Sequence, residues 1–169
     1  MQNLKVWNDM LIPFEKMPDN ARLWIYQAER KLTYEETDVV KHNTEHFLSE
    51  WQAHGQDLKA SFDIKYNQFL IISVDESFSQ ASGCSIDASV HLIKALENEL
   101  KLSFMTTSQV AFMEGEEVNL YPFNQLKKQA QEAIIGPDTL VFDNTVQNMA
   151  EFRSRWIKPS RETWVKRFF

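Results

Sequence analysis

The residues best suited to chemistry follow an apolar stretch in the middle of the chain. Phe69–Val74 is almost entirely apolar and runs directly into two neighbouring carboxylates, Asp75 and Glu76. A loop of small residues comes next, and a helical pattern begins near Ser85. A strand end beside a helix start is a common setting for ligand sites, because free backbone N–H groups there point at the ligand. The sequence therefore predicts a small-ligand site in residues 75–87.

Seven residues of this segment are candidates for binding the ligand. They are Asp75, Glu76, Ser82, Gly83, Cys84, Ser85 and Asp87. The serines and Asp87 can cap the helix start, or yield its N–H groups to an incoming anion. Gly83 predicts either a positive φ or a close approach of backbone. Because the three carboxylates repel an anion, a cationic group or a metal between Asp75 and Glu76 is the competing occupant.

Cys84 is the only cysteine and the best candidate for a nucleophile. In the first turn of a helix, the partial positive charge of the helix N-terminus favours a thiolate. A nucleophile also needs a base, and His91 lies ~10 Å further along the helix axis, which leaves His54 as the candidate. The alternative is a buried cysteine that packs a tight strand-to-helix turn.

Asp75 and Glu76 after an apolar strand also resemble the Walker B strand of an ATPase, where the acids hold Mg²⁺ and orient water. That chemistry needs a phosphate loop ending in Gly-Lys-Ser/Thr. None of the four glycines is followed by lysine. The sequence therefore predicts no ATPase activity, and the catalytic residues of any other reaction are unknown.

His42, Glu45 and His46 match the H-x-x-E-H pattern of some zinc peptidases. On a helix, however, the two histidines lie about 200° and 240° away from Val40, which belongs to the apolar face. A solvent-exposed polar face accounts for them. The sequence thus predicts no resident metal and no cofactor.

Five segments resemble those of a family of small uncharacterised bacterial proteins, some of which carry the label "ABC transporter ATPase". The segments are Arg22–Gln27, Trp51–Gly55, Val74–Glu76, Ala81–Asp87 and Phe142–Val146. The resemblance covers most of the chain from residue 20 onward. It implies no catalytic residue, because the chain lacks the Walker A loop and the Leu-Ser-Gly-Gly-Gln signature of transporter ATPases.

The order of elements predicts an α+β fold. Arg22–Gln27 is typical of a strand, and Thr33 with Glu36 forms a capping box, so a helix should begin near Tyr34 and end at Gly55. Two strands follow, at Leu58–Tyr66 and Phe69–Val74, with a turn at Asn67-Gln68 between them. The next element is a helix, whose apolar face consists of Ile86, Val90, Ile93, Leu96 and Leu100. A hairpin of Val110–Met113 with Val118–Tyr121 comes last.

This order is that of a ferredoxin-like βαββαβ core with an antiparallel sheet of at least four strands. We expect a single domain with an N-terminal extension (1–20), the α+β core (21–121) and a mainly helical C-terminal part (122–169). No apolar run is long enough to span a membrane, and residues 1–10 do not resemble a signal peptide, so the expected location is cytoplasmic.

The distribution of charge along the chain indicates what the basic C-terminal residues could bind. The net charge is −6, but residues 153–169 contain six basic residues and one acidic residue. We favour a tail that docks on its own acidic body over a nucleic-acid-binding arm, because an acidic body repels phosphate backbones.

Three functions stay open. The first is a binding or regulatory domain for an unknown small molecule or protein, the second is a thiol-dependent enzyme that uses Cys84, and the third is a homo-oligomeric structural or assembly protein. The first is favoured, because no base for Cys84 is evident in the sequence.

Overall fold

The computed structural model describes residues 11–77, 79–105 and 107–169. These residues form a mixed α+β structure with antiparallel sheets, divided into two compact units. The first unit contains the described residues up to Met105 together with Gln147–Ala150, and the second contains those of 106–146 and Glu151–Phe169. The first half of the predicted N-terminal extension, residues 1–10, lies outside the described residues.

The first unit is built around a three-stranded antiparallel sheet. After a short 3-10 helix at Phe14–Lys16, its elements are β1 (Arg22–Gln27), α1 (Tyr34–Glu50), β2 (Gln52–Ala53), β3 (Gln56–Asp57), β4 (Lys59–Lys65), β5 (Phe69–Asp75) and α2 (Gly83–Leu100). The strand order is β1-β5-β4, and β2 pairs with β3 in a separate small hairpin. Every residue of the central strand β5 is buried, as its continuous apolar sequence predicts.

In the described residues of the first unit the main sheet has three strands rather than the predicted four or more, and the ferredoxin-like arrangement is not confirmed. The segment predicted as its fourth strand belongs to the second unit and pairs with other strands there. Besides β5, the described residues pair with β1 through two isolated bridges, Gln27 with Met105 and Arg22 with Asn148. The Glu97 carboxylate accepts the backbone N–H groups of Phe104 (2.8 Å) and Met105 (3.2 Å), so these two donors are used outside a strand ladder.

The second unit contains a four-stranded antiparallel sheet with the order β7-β6-β8-β9. Its strands are β6 (Gln109–Glu114), β7 (Glu117–Pro122), β8 (Leu140–Phe142) and β9 (Ile157–Pro159). Its helices are α3 (Leu126–Gln131), α4 (Met149–Arg155) and three 3-10 helices at Phe123–Gln125, Ser160–Glu162 and Trp164–Phe168. The first two residues of α4 belong to the first unit. The predicted hairpin of β6 and β7 is confirmed. The part after residue 122 was predicted to be mainly helical, but it also holds β8 and β9, which are too short to produce a sequence pattern.

The basic C-terminal tail forms part of the second unit. Arg155 lies 3.0 Å from an Asp143 carboxylate oxygen, and the Arg167 guanidinium lies 5.1 to 5.4 Å from the centroids of three aromatic rings. These rings belong to Phe123, Trp164 and Phe168, and further ion pairs join Lys158 to Glu162 and Arg161 to Asp138. The tail is thus held by contacts within its own unit.

Helix α1 begins at Tyr34, as predicted from its capping box. The Thr33 hydroxyl accepts the Glu36 N–H, and the Glu36 carboxylate accepts the Thr33 N–H. The same carboxylate accepts two 2.8 Å hydrogen bonds from Arg30. The Arg30 hydrogen bonds, helped by the Thr33 N–H, lower the pKa of Glu36 to about 2.

The end of α1 differs from the prediction, because the helix stops at Glu50 rather than at Gly55. His54 and Gly55 both have positive φ, +53° and +75°, which is the backbone of a tight hairpin turn. These two residues therefore turn the chain between β2 and β3. The turn between β4 and β5 also lies one residue earlier than predicted, because Tyr66 and Asn67 are its left-handed residues.

Helix α2 buries a different face in its first half than the apolar pattern predicts. Ile93 and Leu96 are buried as expected, whereas Ser85 and Ser89 take the buried positions expected for Ile86 and Val90. The Ser85 and Ser89 hydroxyls donate to backbone carbonyls of their own turns, at 2.8 and 2.6 Å. Burial of these serines is tolerated because both hydroxyls are hydrogen-bonded.

Trp51 connects these elements in the core of the first unit. Its side chain is 3% exposed, and its ring centroid lies 6.3 Å from that of Trp24 on β1 and 5.3 Å from that of Phe47 on α1. The indole Nε1 donates to the Ser85 carbonyl of α2 at 2.8 Å. Trp51 therefore joins the end of α1 to both the sheet and the start of α2.

Truncation of Trp51 should destabilise the fold strongly. We expect Trp51→Ala to lower the free energy of unfolding by ~3–5 kcal/mol, because it leaves a large cavity in the core. In Trp51→Phe, loss of the N–H donor should lower the free energy of unfolding by about 1 kcal/mol, and any cost of repacking the smaller ring adds to this. Urea unfolding followed by circular dichroism measures both. The exposed Tyr34→Ala is the control, and a Trp51→Ala cost as small as the control's would contradict this account of the core.

Candidate functional site

A groove with a volume of about 960 Å³ lies between α1 and α2 in the first unit. The second half of α1 forms one wall, and the first three quarters of α2 form the other. The β2–β3 hairpin contributes Gln52 and His54. The walls are held together at the base by the hydrogen bond from Trp51 to Ser85.

The deeper part of the groove is apolar. Trp51 and Leu96 are buried, whereas Phe47 and Leu92 are only half-buried and line the same groove. A molecule lying in the groove would remove water from these half-buried side chains, which favours an apolar occupant.

The exposed edge of the groove carries polar side chains, including three of the four histidines of the chain. His46 comes from α1, His54 from the hairpin turn and His91 from α2, and all three are exposed. His46 Nε2 lies 3.9 Å from a carboxylate oxygen of Glu50. No lysine or arginine of the described residues lines the groove, so Glu50 is its only formal charge when the histidines are neutral.

Only some of the seven predicted site residues line the groove. Ser82, Cys84 and Ser85 line the groove, whereas Asp75, Glu76, Gly83 and Asp87 do not. Cys84 is exposed, so the alternative of a buried cysteine is wrong. The thiol shares the groove with His46, His54 and His91.

The two carboxylates at the end of β5 have partners of their own. Asp75 is 8% exposed, and one of its carboxylate oxygens accepts both the backbone N–H (3.0 Å) and the hydroxyl (2.6 Å) of Ser77. This is an Asx turn, which redirects the chain after the strand. Glu76 lies 3.8 Å from the guanidinium of Arg22 on β1. Both acids therefore have contacts that stabilise the strand end.

The start of α2 is closed by its own capping box. The Ser82 hydroxyl accepts the Ser85 N–H at 3.1 Å, and the Ser85 hydroxyl accepts the Ser82 N–H at 2.7 Å. The Ile86 N–H donates to the Ser82 carbonyl. The N–H groups of Ser82, Ser85 and Ile86 are thus already bonded within the helix start, which leaves fewer donors for an anion.

The prediction that Gly83 has a positive φ or a close backbone neighbour is wrong. Gly83 is not among the residues with positive φ, and a Cβ built on it meets no atom within 4 Å. Neither backbone conformation nor a close approach requires glycine at this first position of α2.

The H-x-x-E-H pattern does not assemble a metal site. His46 lines the groove, whereas His42, one turn earlier, does not. Among the described residues, no group of three or more histidine, cysteine or acidic side chains is placed to hold a metal ion.

The sequence patterns identified the α2 side of the groove but missed the α1 side. Asn43, His46, Phe47 and Glu50 follow the three- and four-residue spacing of one helix face, and this face lies beside the apolar stripe that packs the core. Cys84, Ala88, His91, Leu92 and Ala95 have the same spacing on α2. The two faces meet only because α1 and α2 pack side by side, which the spacing of residues does not predict.

Neither a model of a known protein family, nor a curated protein, nor a solved structure matches this chain. In the part of the chain that the structure describes, no helix combines the length and the apolar character needed to cross a bilayer.

Replacement of Gly83 should stabilise the protein. We expect Gly83→Ala to raise the free energy of unfolding by ~0.4–1 kcal/mol, because alanine restricts the unfolded chain and fits the open space in the helix. Gly55→Ala is the matched control, since Gly55 also has open space but a φ of +75°, and it should be destabilising. Urea unfolding distinguishes the two, and destabilisation by Gly83→Ala would show that the glycine is needed.

Proposed function

We propose that the first unit is a binding module whose groove between α1 and α2 takes a small, largely apolar molecule. The groove of about 960 Å³, apolar at its base and polar at its edge, is the observation that supports this function. Small-molecule sites commonly have this size and this combination of an apolar lining with a few polar groups. The occupant would lie across Phe47 and Leu92, with its polar group at the edge.

This proposal moves the predicted ligand site from residues 75–87 towards the helix start and α1. Ser82, Cys84 and Ser85 remain in the site, while Asp75 and Glu76 are left out because Ser77 and Arg22 already bind them. The proposal involves no ATP hydrolysis, since the family resemblance supplies no catalytic residue and both acids of the Walker B-like strand have structural contacts. The homo-oligomer of the third alternative stays a prediction.

Binding can be measured with N-phenyl-1-naphthylamine, an uncharged apolar dye whose fluorescence rises when it leaves water. We expect saturable binding by the intact chain. Ala95→Trp should abolish it, because Ala95 is an exposed residue of α2 that lines the groove and a Trp side chain would fill that space.

Lys94→Trp is the matched control for this variant. Lys94 is the exposed neighbour of Ala95 on α2 but does not line the groove. The control should bind the dye like the unaltered protein. Absence of saturable binding to the unaltered protein, or equal binding by both variants, would show that the groove is not a binding site.

A thiol-dependent enzyme is the second candidate function, because the exposed Cys84 lines the same groove as three histidines. One of the imidazoles would take the thiol proton and leave a thiolate nucleophile. In that case Cys84 should react with iodoacetamide at about pH 6.5 at least ~10-fold faster than free cysteine, and His54→Asn should slow the reaction. A rate equal to that of free cysteine would exclude this candidate while leaving the binding module intact.

A further inference from the structure

We infer that the ligand of the groove carries a carboxylate on its apolar body, and that charged histidines at the edge of the groove bind this carboxylate. The groove would then hold the ligand more tightly in mildly acidic than in mildly alkaline solution. This inference rests on the proposed function and adds to it the chemical class of the ligand and a control by pH.

The charge of the groove depends on its histidines. Histidine is the side chain whose charge changes most readily between about pH 5 and pH 8. When His46, His54 and His91 are neutral, the lining carries only the negative charge of Glu50. When all three are protonated, three positive charges face that one negative charge. The groove therefore changes sign, from repelling a carboxylate to attracting it.

The three histidines differ in what surrounds them. The charge of a protonated His46 is largely compensated, because Glu50 lies 3.9 Å away on the same helix. Among the described residues, neither His54 nor His91 has an ion-pair partner. His54 and His91 are therefore the two residues that determine specificity for an acid, one from the hairpin turn and one from α2.

Two carboxylates near the groove accept hydrogen bonds from amide side chains, and the charged neighbours of His91 on α2, Asp87 one turn before it and Lys94 three residues after it, are outside the lining. From the hairpin, Asp57 accepts a 2.7 Å hydrogen bond from Gln52, and from α2, Glu99 accepts a 2.9 Å bond from Asn43. Cys84 is the remaining titratable residue in the lining. Neither carboxylate is paired with His54 or His91, so both imidazoles can bind a ligand.

The geometry favours a carboxylate over a phosphate. A phosphate commonly requires arginine, lysine or several free backbone donors. The described lining contains no lysine or arginine, and the capping box uses the backbone N–H groups of Ser82 and Ser85. Two imidazoles above an apolar base instead suit a single negative charge on an apolar body.

The inference can be tested with decanoate and decanol, which share an apolar chain and differ only in the charged group. Each is used to displace N-phenyl-1-naphthylamine from the intact chain at about pH 5.5 and about pH 8, on either side of the usual histidine titration. We expect decanoate to bind ~3–10-fold more tightly at the lower pH, because partly exposed ion pairs have modest strength. Decanol should bind equally at both.

The double variant His54→Asn with His91→Gln should remove the pH dependence of decanoate binding, measured by displacement of the dye against that variant's own dye affinity at each pH. Asparagine is chosen because it tolerates the positive φ of position 54. His42→Gln is the matched control, since His42 is an exposed histidine of α1 outside the groove. Circular dichroism verifies that each variant is folded.

The outcomes separate this inference from the proposed function. If the dye binds in the groove but decanoate affinity is independent of pH, the acid-binding inference is wrong and the binding module stands. The inference also fails if the double variant keeps the pH dependence or if His42→Gln abolishes it. If the dye does not bind at all, the proposed function itself is wrong.

Discussion

The buried Trp51 ring, with its indole hydrogen bond to the Ser85 carbonyl, connects the elements of the first unit. Trp51 follows the last residue of α1, and its carbonyl accepts the Leu58 N–H at 3.0 Å just before β4. One residue thus joins the end of a helix, the entry to a strand and the start of α2. Because the indole also lines the groove, the same side chain contributes to the stability of the unit and to the shape of its site.

Local hydrogen bonding and burial made part of this fold predictable. The Thr33 capping box predicts the start of α1, and the unbroken apolar run of β5 predicts a central strand. The end of α1 was missed because the helix periodicity of the sequence continues through Trp51, whereas the backbone of Trp51 is already extended and leads into β2. The buried face of α2 was missed because hydropathy does not predict that serines bonded to their own backbone are buried.

The candidate site could also be predicted only in part from the sequence. Ser82, Cys84 and Ser85 could be found from sequence because a helix start is a local feature, but the groove needs α1 and α2 to pack together. The sequence predicts a ligand site at the acidic end of β5, and the structure shows that Asp75 forms a turn there. Asp143, after β8, bonds both the N–H and the hydroxyl of Thr145 in the same way that Asp75 bonds Ser77. An acid followed two residues later by serine or threonine is thus explained by backbone geometry in both places.

The left-handed backbone at His54 also limits how this position can change during evolution. With a φ of +53°, glycine, asparagine and aspartate are the residues that replace histidine with least strain, whereas branched aliphatic residues are strongly disfavoured. Single substitutions there can exchange an imidazole for an amide, a carboxylate or an empty space, but they cannot readily make this edge apolar. Divergent descendants of this chain would therefore differ in which polar group they bind while keeping a polar edge at the hairpin.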